Sequence, residues 1–463
     1  MILRTVTCGH GPLPEDELVR QTLFYIPPTL FGLPVFGCGL AFGLLIVAVA
    51  IAVGWRFSRV KKFDEDIGSY LGLLVVGGAA LVFVVPNVLQ PQGFPIRGFG
   101  VFLLLAILAA LGLLLRLAKS RGISSDTVFS LSLWSVVSGL IGARLFYVTE
   151  YWHGTRAFDS AGNFLPWKTF FNILNIADGG IVVYGSILGG LVGAILFMWL
   201  NRLPILSTLD IMAPTLMIGI AIGRIGCLMN GCCFGGVCEL PWAITFPEGS
   251  PAHIHQVSEG KTFYDGLKFE YRDKMVVIRE VQPGSSAEKK GLKSGMVLNG
   301  VAGMVDHKPQ GGRVLNPLEA IEMIHFLRHA NPQEKLRFDV YTAPDFKTEK
   351  SFFVGPTPSV VLSVHPTQIY SSFGAACICG VLLFLGRLNF FRRQDGFVFV
   401  AFLFLYSMGR FYIETIRTDE DSFLGTGLTV SQNICIVVFL AACMLGGILA
   451  RRTMKIREEC ANQ

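Results

Sequence analysis

Leu216-Met-Ile-Gly-Ile-Ala-Ile-Gly-Arg224-Ile-Gly-Cys-Leu-Met-Asn230-Gly-Cys-Cys-Phe-Gly-Gly236 decides the class of this chain. It drives one arginine into an apolar run and then breaks into a turn rich in glycine and cysteine. An arginine inside a membrane helix costs about 2.5–3.5 kcal/mol on insertion scales, so Arg224 is expected to face a polar cavity rather than lipid. Snorkelling to a headgroup is disfavoured by the long apolar stretch before it and the short one between it and Gly231. The favoured reading is an anion site inside a membrane.

Composition agrees. Hydrophobic residues make up 52% of the 463 and charged residues 16%, well below the roughly 25% charge of soluble domains. Mean hydropathy is +0.54. Runs near the membrane-spanning length fall at 34–55, 68–86, 99–118, 127–148, 180–200, 209–229, 369–386, 396–416 and 430–450. The expected fold is an all-α polytopic membrane protein of about nine transmembrane helices. Basic residues cluster after alternate spans, at Arg56/Arg59/Lys61/Lys62, Arg116/Lys119/Arg121, Arg202, Arg387/Arg392/Arg393 and Arg451/Arg452/Lys455/Arg457. The positive-inside rule then puts those loops and the C-terminus in the cytoplasm, with the N-terminus and segment 230–368 outside. The net charge of +6 is an orientation signal, and no nucleic-acid site is read in it.

The chain divides into four parts. Residues 1–90 are an N-terminal membrane segment of two spans, and 91–239 the first part of the functional core. Residues 240–360 are an extracytoplasmic insert of ordinary polarity, and 361–463 the last three spans. Segment 32–40 recurs as 93–101, and at the same offset Glu65 meets Asp126 and Gly78 meets Gly139. The second copy has gained Arg97 and Arg144 where the first has Phe36 and Phe83, so the first reads as scaffold and the second as functional. Inside the insert, 275–281, 296–301 and 335–341 read as strands, 284–295 as a short helix and turn, and 316–328 as a helix capped by Asn316. The run 283–295 resembles the middle of a PDZ domain (PDZ-like region about 270–345), but the glycine-hydrophobic loop that binds carboxylate there is not evident.

Polar groups then gather at membrane depth. Arg144 closes the fourth run; Asp178-Gly-Gly opens a glycine-rich block holding Tyr184 and Ser186; His365, Gln368 and Tyr370 crowd the return to the membrane. Arg410 and Glu414 stand four apart on one helical face, with Arg417 a turn further. Guanidinium forks bind phosphate bidentately and keep their charge on burial, so Arg144, Arg224 and Arg410 read as a receptor for a lipid phosphate. Cys227, Cys232, Cys233 and Cys238 do not show a recognised zinc spacing and lack an adjacent histidine. A disulfide such as Cys233–Cys238 is preferred, and no metal or cofactor is expected. Neither H-E-x-x-H nor G-x-S-x-G occurs, against an intramembrane protease.

The blocks GARLFYV, DGGIVVYGSILGG, GRIGCLMNGCCFGG with LPWAITFP, HPTQIY and GRFYIETIR come in the order that resembles the phosphatidylglycerol-prolipoprotein diacylglyceryl transferases, over roughly 93–247 and 360–450. The resemblance implies a bacterial inner-membrane enzyme that moves diacylglyceryl from phosphatidylglycerol to the lipobox cysteine of a prolipoprotein signal peptide, without a cofactor. It carries Arg224, Asn230, Gly235, Arg410 and Glu414 onto the family's signature and lipid-binding or essential residues, and His365 onto its HPxQ block. Arg224, Arg410, Tyr184 and Glu414 are then the expected catalytic residues. Arg97, Arg144, Asn230, Gly235, His365, Gln368 and Tyr370 are the expected substrate-binding ones. The chain departs from the family at Tyr184, where many members have histidine, at Phe99 in place of tyrosine and at Ser371 in place of glutamate. A phenol near pKa 10 is a poor base for a thiol near 8.5, so a lipid-binding or lipid-transporting scaffold that has lost catalysis is the alternative. The partner of the insert is unknown.

Overall fold

The computed structural model describes residues 22–60, 65–89, 93–158, 164–174, 182–305, 308–331, 333–341, 349–418 and 427–461. The acidic N-terminal stretch, the 178–181 part of the glycine block and Asp419 lie outside the described residues. All nine expected runs contain helix. Seven are long and apolar enough to cross a membrane: Leu40–Ser58, Gly98–Ser120, Ser125–Glu150, Ile205–Asn230, Thr367–Leu385, Phe397–Glu414 and Val430–Lys455. The other two, around Tyr70–Phe83 and Gly185–Leu200, are shorter apolar helices. Among the described residues, seven of the nine expected spans thus have membrane-spanning length.

The chain forms two compact units, Asp16–Val101 and the remainder. In the smaller unit Thr22–Ile26 pairs antiparallel with Phe94–Arg97, Thr22 opposite Arg97. Leu40–Val60 packs beside Glu65–Ala79, and a Cβ on Gly78 would come 2.8 Å from the Phe42 ring. The sequence repeat is visible in the element order: strand, helix, basic loop and helix recur as Phe94–Arg97, Gly98–Ser120 and Ser125–Glu150.

In the larger unit, Ser125–Glu150 lies against Val183–Leu200 along a seam of glycines. A Cβ on Gly189 would come 2.9 Å from Gly142 Cα, so the glycine block serves close helix approach. The helix carrying Arg224, Ile205–Asn230, packs Ala213, Met217 and Ala221 against Ala375, Cys379 and Leu382 of Thr367–Leu385 and Val398 and Phe402 of Phe397–Glu414. Buried Asp210 fixes that meeting: its carboxylate accepts from the backbone N–H groups of Gly396 (2.7 Å) and Phe399 (2.8 Å), capping the N-terminus of Phe397–Glu414.

The insert is an antiparallel sheet in the order Glu349–Val354, Leu336–Tyr341, Val297–Val305, Met275–Val281, Leu267–Arg272, with Lys308–Arg313 added to Val297–Val305. Helix Pro317–Ala330 lays Ala320, Ile321, Ile324 and Leu327 on it, the stripe that 3.6-residue periodicity provides. Asn316 Oδ1 accepts from Glu319 N (2.8 Å) while Glu319 Oε2 accepts from Leu315 N (2.8 Å), a reciprocal capping arrangement. The same core takes in Val257 of a preceding helix, Pro251–Ser258, and Tyr264, so its root lies upstream of the PDZ-like region.

Candidate active site

Arg224 stands two turns before the end of its helix, which stops because Gly231 adopts φ 70° as a left-handed cap, its N–H donating to Leu228 O (3.1 Å). The chain that follows is stitched to two other elements. Gly235 N donates to His365 O (3.0 Å), Gly236 N to Ile416 O (2.9 Å) and His365 N to Gly236 O (3.0 Å). Thr367 Oγ1 donates to Cys233 O (2.6 Å) and Gln368 Nε2 to Cys232 O (2.7 Å). A Cβ on Gly235 would meet His365 Cβ at 2.7 Å and Thr367 Cγ2 at 2.8 Å, so glycine there permits the junction of three blocks that lie far apart in sequence. Tyr370 OH accepts from Trp242 Nε1 (2.7 Å), tying the HPTQIY block to LPWAITFP. His365 Nδ1 and Gln368 Oε1 are buried without a hydrogen-bond partner among the described residues.

The charged centre lies beside this junction. Glu414, 2% exposed, holds Arg410 Nη1 at 2.7 Å and Arg417 Nη1 at 3.8 Å through one oxygen, and Arg410 Nη2 donates to Ser431 Oγ (3.0 Å). The spacing of four places Arg410 and Glu414 on one helical stripe, and Arg417 follows just past the helix end, where its backbone bridges to Gly235. Arg224 and Arg410 line a single narrow cavity of about 50 Å³ with Ile220, Ser371, Gly374, Ala375, Ile378, Tyr406, Gly409 and Ile413. Arg417 is within electrostatic range of Arg224. Arg410 and Arg417 thus share the Glu414 carboxylate, with Arg224 close to Arg417. Such a cluster suits an anion with a hydrocarbon body. Ser371 contributes a small neutral wall where a carboxylate would have offset that charge.

Other expected site residues lie elsewhere. Arg144 Nε donates to Ile173 O (2.7 Å) and its Nη2 to Asn172 O (2.5 Å), so two of its donors hold the C-terminus of the aromatic helix Pro166–Leu174. Helix-end carbonyls thus engage Arg144, while Arg417 joins Arg410 at Glu414. Arg97 belongs to the smaller unit, opposite Thr22. Asn230 is the last residue of its helix. Tyr184 lies in the first turn of Val183–Leu200, and its side chain lies outside the described part. The expected Cys233–Cys238 disulfide is absent: both thiols are free. Arg417 and Ser431 are the residues that sequence reading left out of the site. The 410/414/417 spacing was the available signal for the first, and only the packing of Val430–Ala461 brings the second.

A larger open depression of about 360 Å³ lies on the insert, lined in part by Asn299, Arg313, Arg337 and Asp339. Its Arg337–Asp339 pair (3.1 Å) already satisfies itself.

Comparison with known proteins gives the centre a family. Residues 86–447 match the prolipoprotein diacylglyceryl transferase model. The chain is 32% identical to the phosphatidylglycerol–prolipoprotein diacylglyceryl transferase of Rhodopirellula baltica, over 95% of this chain and 92% of that protein, a span that takes in the insert. It is 33% identical to the enzyme of the same name from Thermosynechococcus vestitus over 40% of this chain and 66% of that one. For the Gloeobacter violaceus enzyme the figures are 34%, 36% and 58%; these two alignments span less than two thirds of the relatives' length. A family model across most of the chain and a relative aligned along nearly its whole length establish that this protein belongs to the prolipoprotein diacylglyceryl transferase family.

Proposed function

We infer that this multi-pass membrane transferase moves the diacylglyceryl group of phosphatidylglycerol onto the lipobox cysteine of a prolipoprotein signal peptide, forming a thioether. The observation that carries the reading is that Arg224 and Arg410, from two apolar helices, line one narrow cavity. Arg224 and Arg410 grip the phosphate, and Glu414 orients Arg410 while Arg417 offsets its charge. The acceptor sulfur attacks the glyceryl carbon. The C–O bond to phosphate breaks, and a diester with one negative charge leaves as a monoester with two. Fixed cations stabilise that developing charge more than they stabilise the bound lipid, which is the condition for catalysis. Asn230, Gly235, His365, Gln368 and Tyr370 position the signature turn; Arg144 sets the aromatic helix at the interface; Tyr184 orients substrate, and Arg97 reads as a further lipid contact.

The protein is read as a bacterial inner-membrane protein; the alternating basic loops support a cytoplasmic C-terminus with the N-terminus and the insert outside, and the two shorter apolar helices would bring the crossings to nine. The insert's element order supports the PDZ-like reading. The experiment is to incubate purified protein with labelled phosphatidylglycerol and a lipobox peptide. Thioether product with release of glycerol phosphate is expected; lipid binding without product would make the protein a scaffold.

A further inference from the structure

Cysteines that look unpaired in sequence converge in the fold. Cys227 lies on the last turn of the Arg224 helix, three residues after the arginine and so on its side. Gly231 turns left-handed, and Cys233 follows at φ 59°, a backbone that a non-glycine residue adopts only when its surroundings hold it. The hold is visible in the side-chain donors from Thr367 and Gln368 to the carbonyls of Cys233 and Cys232. The result is that the sulfurs of Cys227, Cys232 and Cys233 all lie within 4.8 Å of one another, each a free thiol. Cysteines serving as small hydrophobes need no such turn.

Three sulfurs on a tetrahedral zinc, with Zn–S bonds of about 2.3 Å, stand roughly 3.8 Å apart, so the nest needs a contraction of about 1 Å or less. Zinc with three thiolates carries one negative charge. Arg224 lies in electrostatic range of Cys233 and Cys227, and Arg417 of Cys233, so cationic side chains stand beside the nest.

We propose that Cys227, Cys232 and Cys233 bind zinc as a trithiolate whose fourth position, filled by none of the described residues, takes an external thiol. The metal site stands on geometry alone; the use of its fourth position rests on the transferase reading. On binding, the acceptor thiol would release its proton to solvent. Its sulfur lone pair then forms the S–C bond, and the C–O pair departs on the phosphate oxygen. Coordination deprotonates a thiol outright, which supplies what a Tyr184 phenol does not. The absence of a recognised two-pair spacing counted residues and missed the two left-handed turns.

The probe is Co²⁺, added to reduced, chelator-stripped full-length protein in detergent. A thiolate-to-cobalt charge-transfer band saturating at one equivalent and displaced by Zn²⁺ is expected. Cys227→Ser, Cys232→Ser and Cys233→Ser should each weaken binding at least about tenfold, the loss usual even for an outer-shell partner. Cys238→Ser, outside the nest, should not. Half-buried Cys233 keeps the test readable if buried Cys232→Ser misfolds. No band, a band that survives all three changes, or an oxidised pair found in place of metal overturns the site. A cysteine lipobox peptide should then shift the cobalt visible spectrum and its serine counterpart should not. No shift with either, while transfer proceeds, overturns the open fourth position. An intact cobalt site without any transfer would count against the transferase reading instead.

Discussion

Two buried ion clusters in this molecule differ in their balance. In the insert, Asp265 and Arg328 form a closed pair. Arg328 donates to Asp265 Oδ2 from Nε (2.8 Å) and Nη2 (2.5 Å), and Thr357 N donates to Oδ1 (2.8 Å). The remaining donors of Arg328 reach the carbonyls of Glu334 and Val354. In the membrane, one carboxylate, Glu414, is shared by two arginines with a third in range. A closed, fully hydrogen-bonded pair specifies a fold. Guanidiniums gathered on one cavity, as Arg224 and Arg410 are, are read as holding a place for a ligand.

The comparison predicts different failures. Asp265→Ala strands a guanidinium that is only 12% exposed, and breaking a buried pair costs about 3–5 kcal/mol. We expect loss of hydrogen-exchange protection across the insert strands, with the membrane helices still protected. Unchanged protection in the insert would show that the pair is not structural. Arg224→Lys and Arg410→Lys should do the reverse, keeping the fold and losing transfer by on the order of 10²–10³, or ~2.7–4 kcal/mol, as the planar fork is lost. Transfer at matched membrane levels, with lipid binding in parallel, measures this. Near-normal transfer in both variants would reduce the clamp to a diffuse positive field.

A third prediction concerns the insert's root. His253 is fully buried, and its Nδ1 accepts from Gly249 N (3.0 Å), which requires an unprotonated ring nitrogen. Burial pushes its pKa from 6.5 down to about 4. Because the folded value is depressed, the unfolded chain binds more protons between those limits. Stability is fully present above the unfolded pKa and falls as pH drops from 6.5 toward 4, by up to ~3 kcal/mol. Hydrogen exchange in the insert, followed across that window, should lose this dependence in His253→Gln.

Much of this was legible in the chain. Apolar runs gave the helices, because membrane helices satisfy their own backbone and need only length and hydropathy. Alternation exposed Leu336–Tyr341, whose Leu336, Phe338 and Val340 face the core. Lys308–Arg313 carries proline and two glycines and no alternation; it is a strand only because Val297–Val305 pairs with it. The site was legible where its chemistry ran along one helix, at Arg410 and Glu414. It was illegible where chain reversal made it, as at Cys233, or where a partner was a backbone carbonyl, as for Arg144.

The smallest expected effect is at Tyr184. It stands in the first turn of Val183–Leu200, the helix that the glycine seam locks to Ser125–Glu150; from the chemistry of a phenol, its hydroxyl is read as one orienting hydrogen bond. A neutral hydrogen bond contributes about 0.5–1.5 kcal/mol, so Tyr184→Phe should slow transfer by no more than about tenfold, and Tyr184→His should be tolerated. The comparison with the clamp decides its role. A phenol that moved the proton would, on removal, cost as much as Arg410→Lys and would shift the pH profile of transfer. An orienting phenol lowers the rate and leaves that profile in place. A collapse of Tyr184→Phe to the level of the arginine variants would therefore assign proton transfer to the phenol and remove the reason for a metal-bound acceptor thiol.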